Sequence, residues 1–164
     1  MNASFRSSAR RQALALFAFV AVCLAIGAIG GAVTSTSVGT WYQGLRKPSF
    51  NPPDWVFGPV WTVLYIAMAV AAWRVWRRLG LGDGRHALSL FAIQLLLNLA
   101  WTILFFGFQQ IALALIEIAV LFAVIVATAI AFWRRDSVAG LLFVPYLGWV
   151  GFATLLNASL WRLN

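Results

Sequence analysis

Five apolar blocks, each about as long as a helical bilayer crossing, constrain this chain more than any other feature. They cover residues 13–33, 55–73, 87–106, Ile111–Trp133 and 138–160, and none contains Lys, Arg or Asp. Glu117, in the fourth, is the single acid among them. A helix needs about 20 apolar residues to span the hydrocarbon core. The blocks lack the period-two alternation of a barrel strand and are twice the length such a strand needs. With 63% hydrophobic and 10% charged residues in 164, a soluble fold is excluded, because a small domain cannot bury that much apolar surface. The same arithmetic excludes disorder and a disulfide scaffold, and the lone Cys23 permits no intramolecular bridge. The fold class expected is an all-α integral membrane protein: a five-transmembrane-helix bundle with a long structured first loop.

The charges are sided. Arg6, Arg10, Arg11, Arg74, Arg77, Arg78, Arg85, Arg134 and Arg135 fall on the N-terminal side, against Arg46, Lys47 and Arg162 on the other. Such a bias in short loops places the N terminus in the cytoplasm and the C terminus outside it. It also explains the formal charge of +8 without nucleic acid. A multi-pass protein of a bacterial inner membrane is expected, with residues 1–12 as a cytoplasmic tail. Arginines ahead of an apolar run also open signal peptides, but this run exceeds the usual apolar core of about 7–15 residues, which favours a retained helix.

Connections three and four are tight turns at 107–110 and 134–137, and the second is Gly-rich at 80–84. The first, residues 34–54, carries Trp41, Tyr42, Arg46, Lys47 and a Pro48-Ser49-Phe50-Asn51-Pro52-Pro53-Asp54-Trp55 run. This punctuation predicts a structured lid rather than a turn. Asn51 is expected to cap the second helix, with Pro52 in its first position and Asp54 near its exposed N–H groups. Pro145 should kink the fifth helix, and Gly27 and Gly31 form one GxxxG, a weak sign of close helix packing.

Polar and aromatic residues recur at helical spacing inside the spans. Trp61, Tyr65 and Met68 share a face of the second helix, Gln94, Asn98, Trp101 and Phe105 one of the third, and the fifth offers Tyr146, Trp149 and Asn157. Lipid gives amides and acids no partners, so these side chains should face the bundle interior, as interhelical glue or as a site. An intramembrane acid such as Glu117 is a functional-site candidate by default. Indole supplies an apolar plane with an N–H donor, which suits a flat hydrophobic ligand with polar edges. No Cys-x-x-Cys, phosphate loop, metal cluster or nucleophile–base set is present, so no metal site and no conventional hydrolytic chemistry are expected.

Trp41-Tyr42 through Trp55, then Trp61, Leu64-Tyr65, Gln94 to Trp101, Phe105-Phe106-Gly107, Pro145-Tyr146-Leu147, Trp149 and Phe152 to Asn157 together resemble the tryptophan-rich sensory protein / translocator protein family, also called the peripheral-type benzodiazepine receptor family. The resemblance covers nearly the whole chain from Gly30. It implies a five-helix bundle whose first connection folds over a ligand cavity, and a receptor or sensor for tetrapyrroles such as protoporphyrin IX. Light-dependent porphyrin breakdown or transport of hydrophobic ligands are the alternatives it leaves open. It also implies a homodimer. The ligand-binding residues expected are Trp41, Lys47, Trp61, Tyr65, Asn98, Trp101, Tyr146, Trp149 and Asn157, with Trp61 and Trp149 catalytic only if the protein degrades porphyrin. Arg46 and Lys47 would receive the propionates of a porphyrin. The cavity is expected among helices one, two, three and five, at the usual ligand-site volume of about 300–1,000 Å³. No resident cofactor is expected, because His86 lies at the far end and neither Met68 nor Cys23 suits an axial role. Ala158 and Leu113 stand where the mitochondrial branch has Tyr and Trp, which weighs against a sterol ligand.

Overall fold

The computed structural model describes the backbone of residues 3–164 and the side chains of residues 9–164; Met1, Asn2 and the side chain of Arg6 lie outside the described residues. The elements are α1 (Ala3–Ser35), α2 (Trp41–Gly44), α3 (Phe57–Asp83), α4 (Arg85–Thr102), α5 (Ile111–Trp133), α6 (Ser137–Leu141) and α7 (Val144–Leu163). Among the described residues five helical stretches are long and apolar enough to cross a membrane, and no strand is present. The protein is an all-α, five-span membrane bundle. At about 1.5 Å per residue the 33 residues of α1 reach about 50 Å, so the helix continues through the basic segment before the first span.

α1 packs against α3 and α4, α4 against α5, and α5 against α6 and α7. The contacts rest on small residues, which let backbones approach where lipid provides no hydrophobic drive. Ala69, Ala71 and Ala72 of α3 and Ala114 of α5 are fully buried. Gly27 is a close approach of this kind, since a Cβ there would stand 2.8 Å from the Tyr65 ring. Gly31 has open space around it, so the GxxxG pair splits into one packing glycine and one exposed.

Three local features refine the sequence expectation. Asn51 does not cap the second span. Pro52 precedes a proline, which disfavours the α conformation, and Pro53 is extended at φ −59° and ψ 142°, so no helix starts after Asn51 and the chain makes a 3₁₀ turn at Asp54–Val56 before α3 begins. Asn51 instead accepts the Tyr42 hydroxyl at 2.6 Å, and Asp54 accepts the Gln43 amide at 2.6 Å. The fifth span is interrupted just ahead of Pro145, where a break is expected, and goes as far as two helices: α6 ends at Leu141 and α7 starts at Val144, with Pro145 in its first turn. The third span closes on a π-helical turn, Ile103–Gly107, which turns both Phe105 and Phe106 inward.

Asp136 locks the basic end. It is 2% exposed and sits in the α5–α6 turn, where it caps α6 through the Ala139 N–H at 3.1 Å. Arg74 donates to both of its carboxylate oxygens at 3.1 Å, and Arg78 reaches it at 2.9 Å. Burial alone would raise its pKa, but the bonds from Arg74 and Ala139 and the charges of Arg74 and Arg78 outweigh that and hold it below the ordinary carboxylate value. The stabilisation is therefore complete above about pH 4 and is lost as pH falls through the depressed folded-state pKa. Asp136→Asn should cost about 2–4 kcal/mol, because it leaves two arginines facing a neutral amide. Thermal unfolding in detergent should show a lower Tm for the variant and a flattened acid limb.

Candidate functional site

Two layers of side chains occupy the region between α3, α4 and α7. The deeper one is a chain of hydrogen bonds in which each hydroxyl and amide is used. Tyr65 Oη donates to Asn98 Oδ1 at 2.6 Å, and Asn98 Nδ2 donates to Tyr146 Oη at 3.0 Å. Tyr146 Oη donates to Gln94 Oε1 at 2.9 Å, and Gln94 Nε2 points to Met68 Sδ at 3.7 Å. All five residues are buried. The i, i+4 spacing of Gln94 and Asn98 on α4 puts both amides on one face, opposite one tyrosine from α3 and one from α7. Trp61 covers this layer, its ring 5.7 Å from that of Tyr65 and 6.2 Å from that of Tyr146.

The shallower layer is aromatic and lies under the first connection. α3 packs on α6 at the basic end, whereas toward the lid its backbone stays apart from α7 and aromatic rings fill the interval. Phe57 meets Trp149 edge-on at 5.9 Å, and Trp149 lies 5.7 Å from Phe152. Trp101 stacks on Phe105 at 5.3 Å and donates its indole N–H to Asn157 Oδ1 at 3.1 Å. Asn157 Nδ2 then donates to the Ile111 carbonyl at 2.9 Å, tying α7 to the start of α5. Tyr42 of α2 closes the top. These rings surround a cavity of about 30 Å³. That is room for a water or two, far below the expected about 300–1,000 Å³. Its walls come from the lid, α3, the third span and α7, with no residue of α1.

The lid is built as a folded unit. Ser37 donates to the Phe106 carbonyl at 2.6 Å, and Trp41 and Tyr42 set their rings against Phe105 at 5.6 and 6.3 Å. Lys47 Nζ stands 4.9 Å over the Tyr42 ring and donates to the Gln43 carbonyl at 3.1 Å. The Arg46 N–H and carbonyl pair with the Asn164 side chain at 2.9 and 3.1 Å, so the lid is pinned to the C-terminal end of α7. Burial, and secondarily the Asp54 charge, push the Tyr42 phenol up to about 12, against a lowering effect from the Asn51 bond.

The structure thus divides the nine sequence-predicted residues. Trp101, Trp149 and Asn157 line the cavity, Trp41 and Lys47 belong to its roof, Tyr65, Asn98 and Tyr146 form the polar layer below, and Trp61 covers that layer. Tyr42, Phe57, Phe105, Phe106 and Phe152 also line the cavity and were not among the nine. Helical spacing was the available signal, since Phe57 precedes Trp61 by four and Phe152 follows Trp149 by three. Glu117 lies on α5 outside this hydrogen-bonded set, with both carboxylate oxygens buried and without a hydrogen-bond partner among the described residues.

A five-span all-α bundle with an aromatic lid pinned across one end defines a class of small membrane proteins. The chain belongs to the TspO/MBR family, whose model matches residues 19–162. It is 44% identical to the tryptophan-rich protein TspO of Chlorobaculum tepidum over 158 residues, covering 94% of this chain and 98% of that one. It is 44% identical to the tryptophan-rich sensory protein of Cereibacter sphaeroides, over 89% of each chain. It is 43% identical to the human translocator protein, over 76% of this chain and 75% of that one.

Asn98→Leu should destabilise the bundle by about 1–3 kcal/mol, since it strands the Tyr65 hydroxyl and removes a donor to Tyr146. Thermal unfolding should show the loss, with a smaller one for Asn98→Gln. For the lid, the raised Tyr42 pKa gives stabilisation that is complete below about pH 10 and lost as pH rises toward 12. Protection of residues 37–47 relative to the intrinsic base-catalysed exchange rate should fall over that window, and Tyr42→Phe should remove that part of the pH dependence.

Proposed function

We propose that this protein is a membrane receptor for tetrapyrroles, with protoporphyrin IX or a similar flat hydrophobic molecule held in the cleft beneath the lid. The observation that carries the reading is the aromatic layer itself: Trp101, Trp149, Phe57, Phe105 and Phe152 converge under Tyr42 with Asn157 at one edge. A packed core at this depth would need only aliphatic side chains, whereas stacked and edge-on rings match the faces and rim of a macrocycle. Names such as "tryptophan-rich sensory protein" among the relatives favour sensing over a purely structural role.

The chemistry of the lining fits such a ligand; the closed volume does not. Binding would require the lid to lift and the Phe57–Trp149 contact to part, which separates α3 from α7 where their backbones already stand apart. The lid's attachments are hydrogen bonds and ring contacts at its two ends, each of about 0.5–1.5 kcal/mol, so opening is feasible without unfolding a span. Lys47 over Tyr42, with Arg46 beside it, would meet the ligand's carboxylates at the membrane surface. In this reading no metal is bound: the one hydroxyl on the cavity wall, that of Tyr42, is already given to Asn51. The orientation that fits is the basic end in the cytoplasm of a bacterium with the lid outside, and the working unit is a homodimer.

Titration of the purified protein with protoporphyrin IX should quench tryptophan fluorescence saturably. Trp149→Phe should weaken binding by roughly two- to tenfold, the value of one favourable ring contact. Arg46→Ala with Lys47→Ala should weaken protoporphyrin more than an uncharged ligand of similar size, and more at low salt. Unsaturable quenching, or equal losses for both ligands, would remove the cleft or the charge reading respectively. Illumination of the saturated protein separates receptor from enzyme: a receptor returns the porphyrin unchanged.

A further inference from the structure

A second concave site lies at the opposite end of the bundle, where α1 runs beside the end of α3. A groove of about 200 Å³ is lined by Arg11, Gln12, Trp76, Arg77 and Gly80. Its frame is specific. The Trp73 indole N–H donates to the Gln12 carbonyl at 3.0 Å, which fixes α1 against α3 at this height. Arg11 is held 5.8 Å over the Trp76 ring, and Arg77 4.5 Å over the Trp73 ring. Gly80, with φ of 66° and ψ of −166°, breaks α3 just beyond, in a conformation essentially reserved for glycine.

The charge of this groove is uncompensated. Among the described residues the acids of this end are Asp83 and Asp136, and the salt bridges found both belong to Asp136, with Arg74 and Arg78. Arg11 and Arg77 are exposed, lie over indole rings, and have no carboxylate in salt-bridge range among the described residues. Two guanidinium groups held on one rim present forked donors for an anion with several oxygens. The surroundings specify its source. Leu14, three residues on from Arg11 and so its neighbour on the helix surface, is 59% exposed, and Phe17 one turn further is 73% exposed. A basic groove that opens directly onto an apolar helix face suits a molecule with a phosphate at one end and acyl chains at the other.

We propose that this groove binds the phosphate of an anionic glycerophospholipid, with Arg11 and Arg77 as donors, Trp73 and Trp76 as the interfacial walls, and the acyl chains lying along Leu14 and Phe17. Bound lipid would brace α1 against α3, at the far end from the lid. The site is independent of what occupies the aromatic cleft.

Native mass spectrometry of the full chain in a neutral detergent tests it. With phosphatidylglycerol and phosphatidylcholine supplied in equal amounts, one phosphatidylglycerol should be retained in preference. Arg11→Gln with Arg77→Gln should reduce that retention by about tenfold or more. Arg85→Gln with Arg134→Gln, which removes the same charge from the same end outside the groove, should leave it unchanged. Equal losses in the two pairs, or equal retention of the two lipids, would overturn the site. Inorganic phosphate should not displace the lipid; displacement would make the groove a free-anion site and overturn the lipid assignment. A second measurement needs no arginine variant. Phosphatidylglycerol brominated near the glycerol should quench the native protein's fluorescence more than brominated phosphatidylcholine does. Trp76→Phe should remove part of that excess, and an excess unchanged in Trp76→Phe would count against the groove.

Discussion

The Asn98 amide, between Tyr65 and Tyr146, is the interaction on which the interior arrangement depends. Within a bilayer a polar group has no water to fall back on, so each hydroxyl and amide must find a partner inside the bundle. Asn98 gives one atom to each tyrosine, and Gln94 one turn away takes the remaining hydroxyl proton. One face of α4 thereby fixes the rotation of α3 and α7 about their axes. The same rotation brings Gly27 of α1 against the Tyr65 ring, where a side chain would not fit. It also sets Trp61 over the polar layer and turns Trp149 toward Trp101 and the lid.

The two ends of the bundle are closed by different physics. At the basic end the closure is ionic: Asp136 is buried, caps α6 and gathers Arg74 and Arg78, which ties α3 to the α5–α6 turn. At the lid end it is aromatic, with rings of α2 against the third span and of α3 against α7, and the chain pinned by Ser37, Arg46 and Asn164. Buried ion pairs are costly to break singly, whereas ring contacts can re-form in new arrangements at small cost. A bundle built this way is held by costlier interactions at its basic end than at its lid end. Division of the fifth span at Leu142–Phe143 follows the same division of labour, since α6 stays with the ionic lock while α7 carries Trp149, Phe152 and Asn157.

The sequence by itself determined the class of fold, because the length and apolarity of five blocks admit no other solution in lipid. It also determined which side chains are special. Gln94, Asn98, Trp101, Tyr146, Trp149 and Asn157 stand out as polar or indole groups where hydrocarbon offers no partner, and each does face the interior. What it left open was which of them bond to one another and which stay available, because helical spacing gives the face of a helix but not the rotation and height of its neighbours. Only the tertiary structure divided Tyr65, Asn98 and Tyr146 from Trp101, Trp149 and Asn157. It moved Asn51 from a helix cap to the lid, since Pro52 ahead of an extended Pro53 starts no helix for it to cap. It also brought Phe57 beside Trp149 and Arg11 beside Trp76, pairs more than sixty residues apart whose meeting no local pattern encodes.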